Sequence, residues 1–193
     1  MATEMLLLGS PQSPELPLLL IEEPEAHLHP QLQTRLMEFL QQKCNKQGDF
    51  RPVQVILTSH SPNLASKAGI ENVILVHSGK ASPLGPEFTR LNSSDYKFLQ
   101  RFLDVTKANM FFARGVIIVE GDAEQIILPS IAKLIGLPFE KYGVTIVNVG
   151  SVGLFRYARI FQRQDENDIG ILVACLTDMD VPSDEAQPYI GEQ

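Results

Sequence analysis

Six short aliphatic runs punctuate the chain, and most of them are separated by stretches with helical spacing. They are "LPLLLIEE", "VQVILTSH", "NVILVHSGK", "GVIIVEGDAE", "GVTIVNVGS" and "IGILVACLTDMD". A continuous apolar run bounded by proline, glycine or polar residues is the pattern of a strand covered on both faces. Between several of them lie amphipathic segments. In "HPQLQTRLMEFLQQKCNKQG", Leu32, Leu36, Phe39 and Leu40 share one face, and Gly48 closes the segment. Strands alternating with helices imply parallel sheets with right-handed crossovers. The fold class expected is therefore α/β, built as two parallel-sheet units.

The rhythm breaks once, at residues 81–110. A polar loop there leads into an amphipathic helix carrying Phe98, Phe102 and Leu103. The expected organisation is a first unit over 1–80, a connecting segment over 81–113 and a second unit over 114–193.

Composition excludes several classes. The 193 residues carry a formal net charge of −7, which argues against nonspecific nucleic-acid binding by bulk charge. The two cysteines, Cys44 and Cys175, form neither a disulfide framework nor a zinc pattern. No apolar run has the length of a membrane span, and "MATEMLLLGS" lacks the basic start of a signal peptide. A cytoplasmic location with no membrane partner is the expectation.

In open α/β sheets, functional groups sit beyond the carboxyl ends of the strands. The first two runs end in Glu22–Glu23 and in Thr58–Ser59–His60. If their strands are neighbours, His60 lies close to the glutamate pair. One carboxylate then holds Mg²⁺, the other orients or deprotonates a water, and the imidazole contacts a γ-phosphate. The alternative is a solvated strand end with a helix start at Glu25. His27 and His29 are two apart, a spacing that does not share a helix face, so loop packing is the preferred reading of them.

The later runs end in Glu120 and in Asp178 and Asp180, with Glu124 one helical turn beyond Glu120. Side chains at i and i+2 of an extended segment point the same way. Four carboxylates converging on one sheet edge repel one another without cations, and hard oxygen ligands suit Mg²⁺ or Mn²⁺. Two such ions can activate water and stabilise the leaving oxygen in phosphodiester cleavage. Scattered acidic loop residues are the competing explanation. Arg156, Arg159 and Arg163 fall on one face of the following helical stretch. That face could meet nucleic-acid phosphates, or be solvated.

"LLLIEEPEAHLHP" followed by "VQVILTSHSP" resembles the Walker B, D-loop and switch-histidine region of ABC-type ATPases. The resemblance covers roughly residues 16–77 and implies Glu22 as the Mg²⁺-associated acid, Glu23 as the catalytic base and His60 as the γ-phosphate sensor. It also implies "PEAHLHP" at a homodimer interface of the ATPase lobe. "VEGxxE", "VNVGS" and "LTDMD", over residues 114–182, resemble a Toprim domain, the metal-binding module of topoisomerases, primases and overcoming-lysogenisation-defect (OLD) nucleases. In the OLD branch, Glu120, Glu124, Asp178 and Asp180 would be metal ligands, with Glu120 catalytic. Gly121, Gly150 and Ser151 would form loops beside the metal. An ABC-like portion followed by Toprim is the OLD arrangement.

That resemblance implies an ATP-regulated, metal-dependent DNA endonuclease acting in phage defence or DNA repair, with Mg²⁺ or Mn²⁺ and ATP as cofactors and DNA as partner. The sequence contains no "GxxxxGK[ST]" stretch and no lysine after Lys141. The chain is therefore expected to be a fragment lacking ATPase activity by itself. Two alternatives stand beside this reading: an inactive fragment or dimerisation scaffold, and a Toprim enzyme of topoisomerase or primase type. No tyrosine has the context of a topoisomerase nucleophile.

Overall fold

The computed structural model describes residues 17–45, 52–150, 153–165 and 167–178. Ser151 and Asp180 lie outside the described residues, as do Asp184, Glu185 and Tyr189.

Strands β1 (Leu18–Glu22) and β2 (Gln54–Thr58) pair in parallel, with Glu22 opposite Thr58. Helix α1 (Pro30–Cys44) joins them, and α2 (Pro62–Ala65) follows β2. Pro30 opens α1, where its missing N–H costs nothing. Met37, Leu40 and Leu64 are buried, and Leu19, Ile21, Leu36, Phe39, Val55 and Leu57 pack against them. Leu32 instead remains exposed. The apolar runs predict strands covered on both faces, yet among the described residues only one face is covered. Leu20 and Ile56, which point the other way, are exposed.

The "NVILVHSGK" run is not a member of a parallel sheet. Strands β3 (Ile74–His77) and β4 (Lys80–Pro83) form an antiparallel hairpin. Ser78 and Gly79 both have positive φ, at 49° and 77°. That is the backbone of a two-residue turn whose twist matches the strands it joins. Only Leu75 of the run is buried, while Ile74 and Val76 face solvent.

Helix α3 (Ser93–Phe102) begins with a complete capping box, in which Asn92 accepts from the Asp95 N–H and Asp95 accepts from the Asn92 N–H. A short helix, α4 (Val105–Ala108), leads through a 3₁₀ turn (Asn109–Phe112) to β5 (Gly115–Val119). Then come α5 (Asp122–Leu134), α6 (Phe139–Tyr142), β6 (Val144–Asn148), α7 (Leu154–Arg159) and β7 (Leu172–Leu176). The three strands form a parallel sheet in the order β6-β5-β7. The central β5 is the most apolar, as a strand flanked on both edges should be.

One hydrophobic cluster unites this sheet with the segment before it. Leu75, Leu84, Leu91, Leu99 and Leu103 are buried together with Val116, Ile118, Val147, Leu154 and Tyr157. The expected connecting segment thus contributes its apolar face to the same core as β5 and β6. Among the described residues, no helix is long and apolar enough to cross a membrane.

Tyr157 sits at the junction, 1% exposed, with its hydroxyl donating to the Phe102 carbonyl at 3.2 Å. Burial first, and then the nearby Asp104 charge, push its pKa up to about 12. An unfolded tyrosine ionises near 10. The folded chain therefore holds this proton where the unfolded chain has lost it. The resulting stability is complete below pH ~10 and is lost as pH rises towards 12. Tyr157→Phe is expected to flatten the fall of the thermal midpoint between those pH values. Identical pH profiles for the two proteins would contradict this.

Candidate nucleotide and metal sites at the strand ends

The carboxyl end of β5 is where the second acidic group gathers. The register sets Val119 opposite Leu176, so Glu120 follows on one strand and Thr177 on its neighbour. The Thr177 hydroxyl donates to Glu120 Oε2 at 3.0 Å, and the Asp178 N–H points to the same oxygen at 3.4 Å. Parallel pairing thus brings Glu120 and Asp178 together from positions 58 residues apart. Both hydrogen bonds fall on Oε2, so they steer the carboxylate without capping Oε1.

Gly121 is the N-cap residue of α5, and no side chain caps this helix end. A Cβ built on Gly121 would stand 2.9 Å from Glu124 Oε2. The glycine therefore leaves room for the Glu124 carboxylate to fold back over the turn that follows Glu120. The first turn of α5 also holds Asp122, and negative charge there is favoured by the helix dipole.

Asn148, at the end of β6, completes the edge. Its Nδ2 donates to Asp122 Oδ1 at 2.6 Å and to Gln125 Oε1 at 3.2 Å. Its Oδ1 accepts from the Gly150 N–H at 2.9 Å. Gly150 has φ +63°, the conformation that glycine adopts without strain. Asn148 thus ties the first turn of α5 to the loop after β6. Sequence reasoning passed over it, although a polar residue closing the apolar run "VTIVN" is a legible signal. Among the described residues, no three His, Cys, Asp or Glu side chains are grouped closely enough to hold a metal ion. The fourth expected carboxylate, Asp180, lies outside those residues.

At the first sheet, β1 and β2 are adjacent, and His60 does meet the glutamate pair. Its Nε2 lies 3.4 Å from Glu23 Oε1. Glu23 has φ +39°, and its N–H donates to the Thr58 carbonyl at 3.0 Å. This left-handed kink ends the strand and turns the chain towards the β2 terminus. Glu22 is exposed beside it.

No helix starts at Glu25, which lies in a turn, and α1 opens only at Pro30. Glu25 Oε1 accepts from the Ser59 hydroxyl at 2.7 Å and from the His60 N–H at 2.8 Å, so it secures the backbone that carries the histidine. His27, at φ +64°, lies in the turn, and His29 caps α1 by accepting from the Gln31 N–H at 3.4 Å. His29 therefore acts as a helix cap.

The arginine stripe does not form one free face. Arg163 pairs with Asp165 and donates to the Pro83 carbonyl. Arg156 and Arg159 both reach Asp95 on α3, at 3.5 and 3.1 Å.

Two acid-ended parallel sheets in this order are the arrangement that an ATPase lobe followed by a Toprim domain would present. Residues 111–180 match the family "overcoming lysogenization defect protein-like, TOPRIM domain", and residues 5–66 match the "AAA domain, putative AbiEii toxin, Type IV TA system" family. The two matches, in this order, support an arrangement of the OLD type, an ATPase-like part followed by a Toprim part.

Its similarity to curated proteins runs across both parts. It is 28% identical over 142 residues to the uncharacterized protein YbjD of Escherichia coli K12, an alignment covering 72% of this chain and 24% of that protein. It is 25% identical over 173 residues to endonuclease GajA of Bacillus cereus VD045, covering 90% of this chain and 28% of the relative. Identity to endonuclease GajA of Bacillus cereus HuB5-5 is 21% over 189 residues, covering 87% and 27%. The chain spans about a quarter of the length of these relatives.

Proposed function

We propose that this chain belongs to a metal-dependent DNA endonuclease in which an ATPase lobe regulates a Toprim nuclease centre. The observation that carries the reading is the meeting of Glu120 and Asp178 at adjacent strand ends, joined through the Thr177 hydroxyl and the Asp178 N–H. Two relatives bearing the name endonuclease support it from outside the structure.

In this reading Glu120, Glu124, Asp178 and Asp180 hold Mg²⁺ or Mn²⁺. The donor set suits a hard cation, because every ligand is a carboxylate oxygen. Bound metal supplies an activated water and stabilises the departing oxygen. The protein's own part is to aim the ligands. Thr177 orients Glu120, Gly121 admits Glu124, and Asn148 holds the Gly150 N–H at the end of β6. In the first lobe, Glu22 and Glu23 serve the nucleotide's metal and water, and His60 senses the terminal phosphate of ATP. The chain pairs with a second copy through the ATPase lobe. The unit boundaries proposed are 1–80, 81–113 and 114–193.

Calorimetric titration with Mn²⁺ tests the metal centre. Wild-type protein is expected to bind, and an Asp178→Ala/Asp180→Ala variant to give only the heat of dilution. Equal heats from the two proteins would remove the metal assignment, and with it the nuclease chemistry.

A further inference from the structure

A cavity of about 360 Å³ opens beside Glu120. Its wall brings Asn92, Ser94 and Asp95, from the N-cap and first turn of α3, together with Gly153, Arg156 and Arg159 from α7 and the turn before it. The two halves are more than 50 residues apart in sequence, and a buried carboxylate holds them together. Asp95 is 1% exposed, whereas the arginine side chains it pairs with are 37% and 40% exposed. The anion is inside and the cations reach outward.

The arginines are aimed as well as anchored. Arg156 approaches Asp95 through Nε and lies over the Phe98 ring, 4.6 Å from its centroid. Arg159 reaches Asp95 through one terminal nitrogen, Nη1. A guanidinium has five N–H donors in a fixed fork, so each keeps donors beyond those directed at Asp95. Gly153 permits this packing. At φ +83°, its absent Cβ would lie 2.7 Å from Phe98 Cζ.

We propose that this cavity receives a phosphodiester of the DNA backbone, with Arg156 and Arg159 as its clamp and Asp95 as the residue that positions them. The proposal rests on the nuclease reading and adds a substrate contact to it. Charge explains why binding should require metal. Asp95 and Glu120 balance the two arginines, so the empty cavity has no net attraction for an anion. Glu124 and Asp178 beside Glu120 add further negative charge, and divalent cations bound there cancel it, leaving the arginines free to attract an anion. Arginine suits the task because its planar fork can donate two parallel hydrogen bonds to phosphate oxygens.

The test is fluorescence anisotropy of a short fluorescein-labelled duplex, with and without Mn²⁺, read beside calorimetric Mn²⁺ binding. Wild-type protein is expected to bind the duplex only with Mn²⁺. Arg156→Gln/Arg159→Gln should weaken that binding at least ~10-fold, the loss of about one charge-assisted hydrogen bond, while Mn²⁺ binding is retained. Arg156→Lys/Arg159→Lys keeps both charges and the pairing with Asp95, and should recover part of the loss. Arg101→Gln, a charge removed elsewhere on α3, should bind like wild type. Inorganic phosphate should compete only at high concentration, since one phosphate lacks the strand's other contacts. Competition by phosphate at the concentrations where the duplex binds would instead identify a free-phosphate site and overturn the proposal. So would wild-type duplex affinity in the folded Gln variant, no recovery in the folded Lys variant, or an equal loss in Arg101→Gln, and in those cases the nuclease reading stands. Wild-type protein that binds Mn²⁺ but no duplex would sink both.

Discussion

Glu120→Gln is expected to remove Mn²⁺-dependent nicking of supercoiled plasmid, lowering the rate by ~10²–10³-fold, the range lost when one group that stabilises the reaction is removed. The substitution is chosen to spare the fold. Glu120 Oε2 accepts from the Thr177 hydroxyl and the Asp178 N–H, and a glutamine carbonyl oxygen can accept from both. What changes is the charge, which a hard cation requires. Removing a carboxylate from beside Glu124 and Asp178 also relieves repulsion in the metal-free protein, so the thermal midpoint without metal should not fall. Wild-type nicking is expected to be slow and indifferent to sequence. Equal rates for wild type and Glu120→Gln would show that the nicking does not arise at this sheet edge.

Leu99→Ala should produce the largest loss of stability, about 3–5 kcal/mol, as expected for a fully buried leucine truncated in a packed core. Leu99 is 0% exposed and belongs to the cluster that contains Val116, Val147 and Tyr157. For a chain of this size the thermal midpoint should drop by about 10 °C. Leu134→Ala is the control. At 85% exposure that side chain buries little, and its removal should stay within ~0.5 kcal/mol. A small effect at Leu99 would mean that α3 docks loosely on the sheet and that residues 81–113 act as a tether. A large one would mean that the arginine-lined cavity is framed by a rigid wall.

The strands were legible because aliphatic runs register directly in sequence, and five of the six expected strands pair in parallel. The acid pairs were legible for the same reason, since each stands immediately after such a run. The hairpin was less so. Its apolar run resembles a buried strand, and only the two-residue turn at Ser78–Gly79 turns it back on itself. Partners set by tertiary packing could not be read at all. Nothing local marks Asp95 as the anion for two arginines more than 60 residues away, and its place in the capping box gives it a sufficient local explanation. Glu25 was obscured in the same way. The sequence suggested a helix start at Glu25, whereas it lies in a turn and its contacts lie across the sheet at Ser59 and His60.

Asp95 and Leu99 occupy one helix but answer to different neighbours, the first to the arginines of α7 and the second to the hydrophobic core. One residue inserted or deleted between them would swing one out of alignment by about 100°, the angular step of an α-helix. Length drift among homologues should therefore be scarce within this helical turn. The hairpin tip at Gly79, where a Cβ would meet no atom within 4 Å, is a place where extra residues could accumulate without disturbing either neighbour.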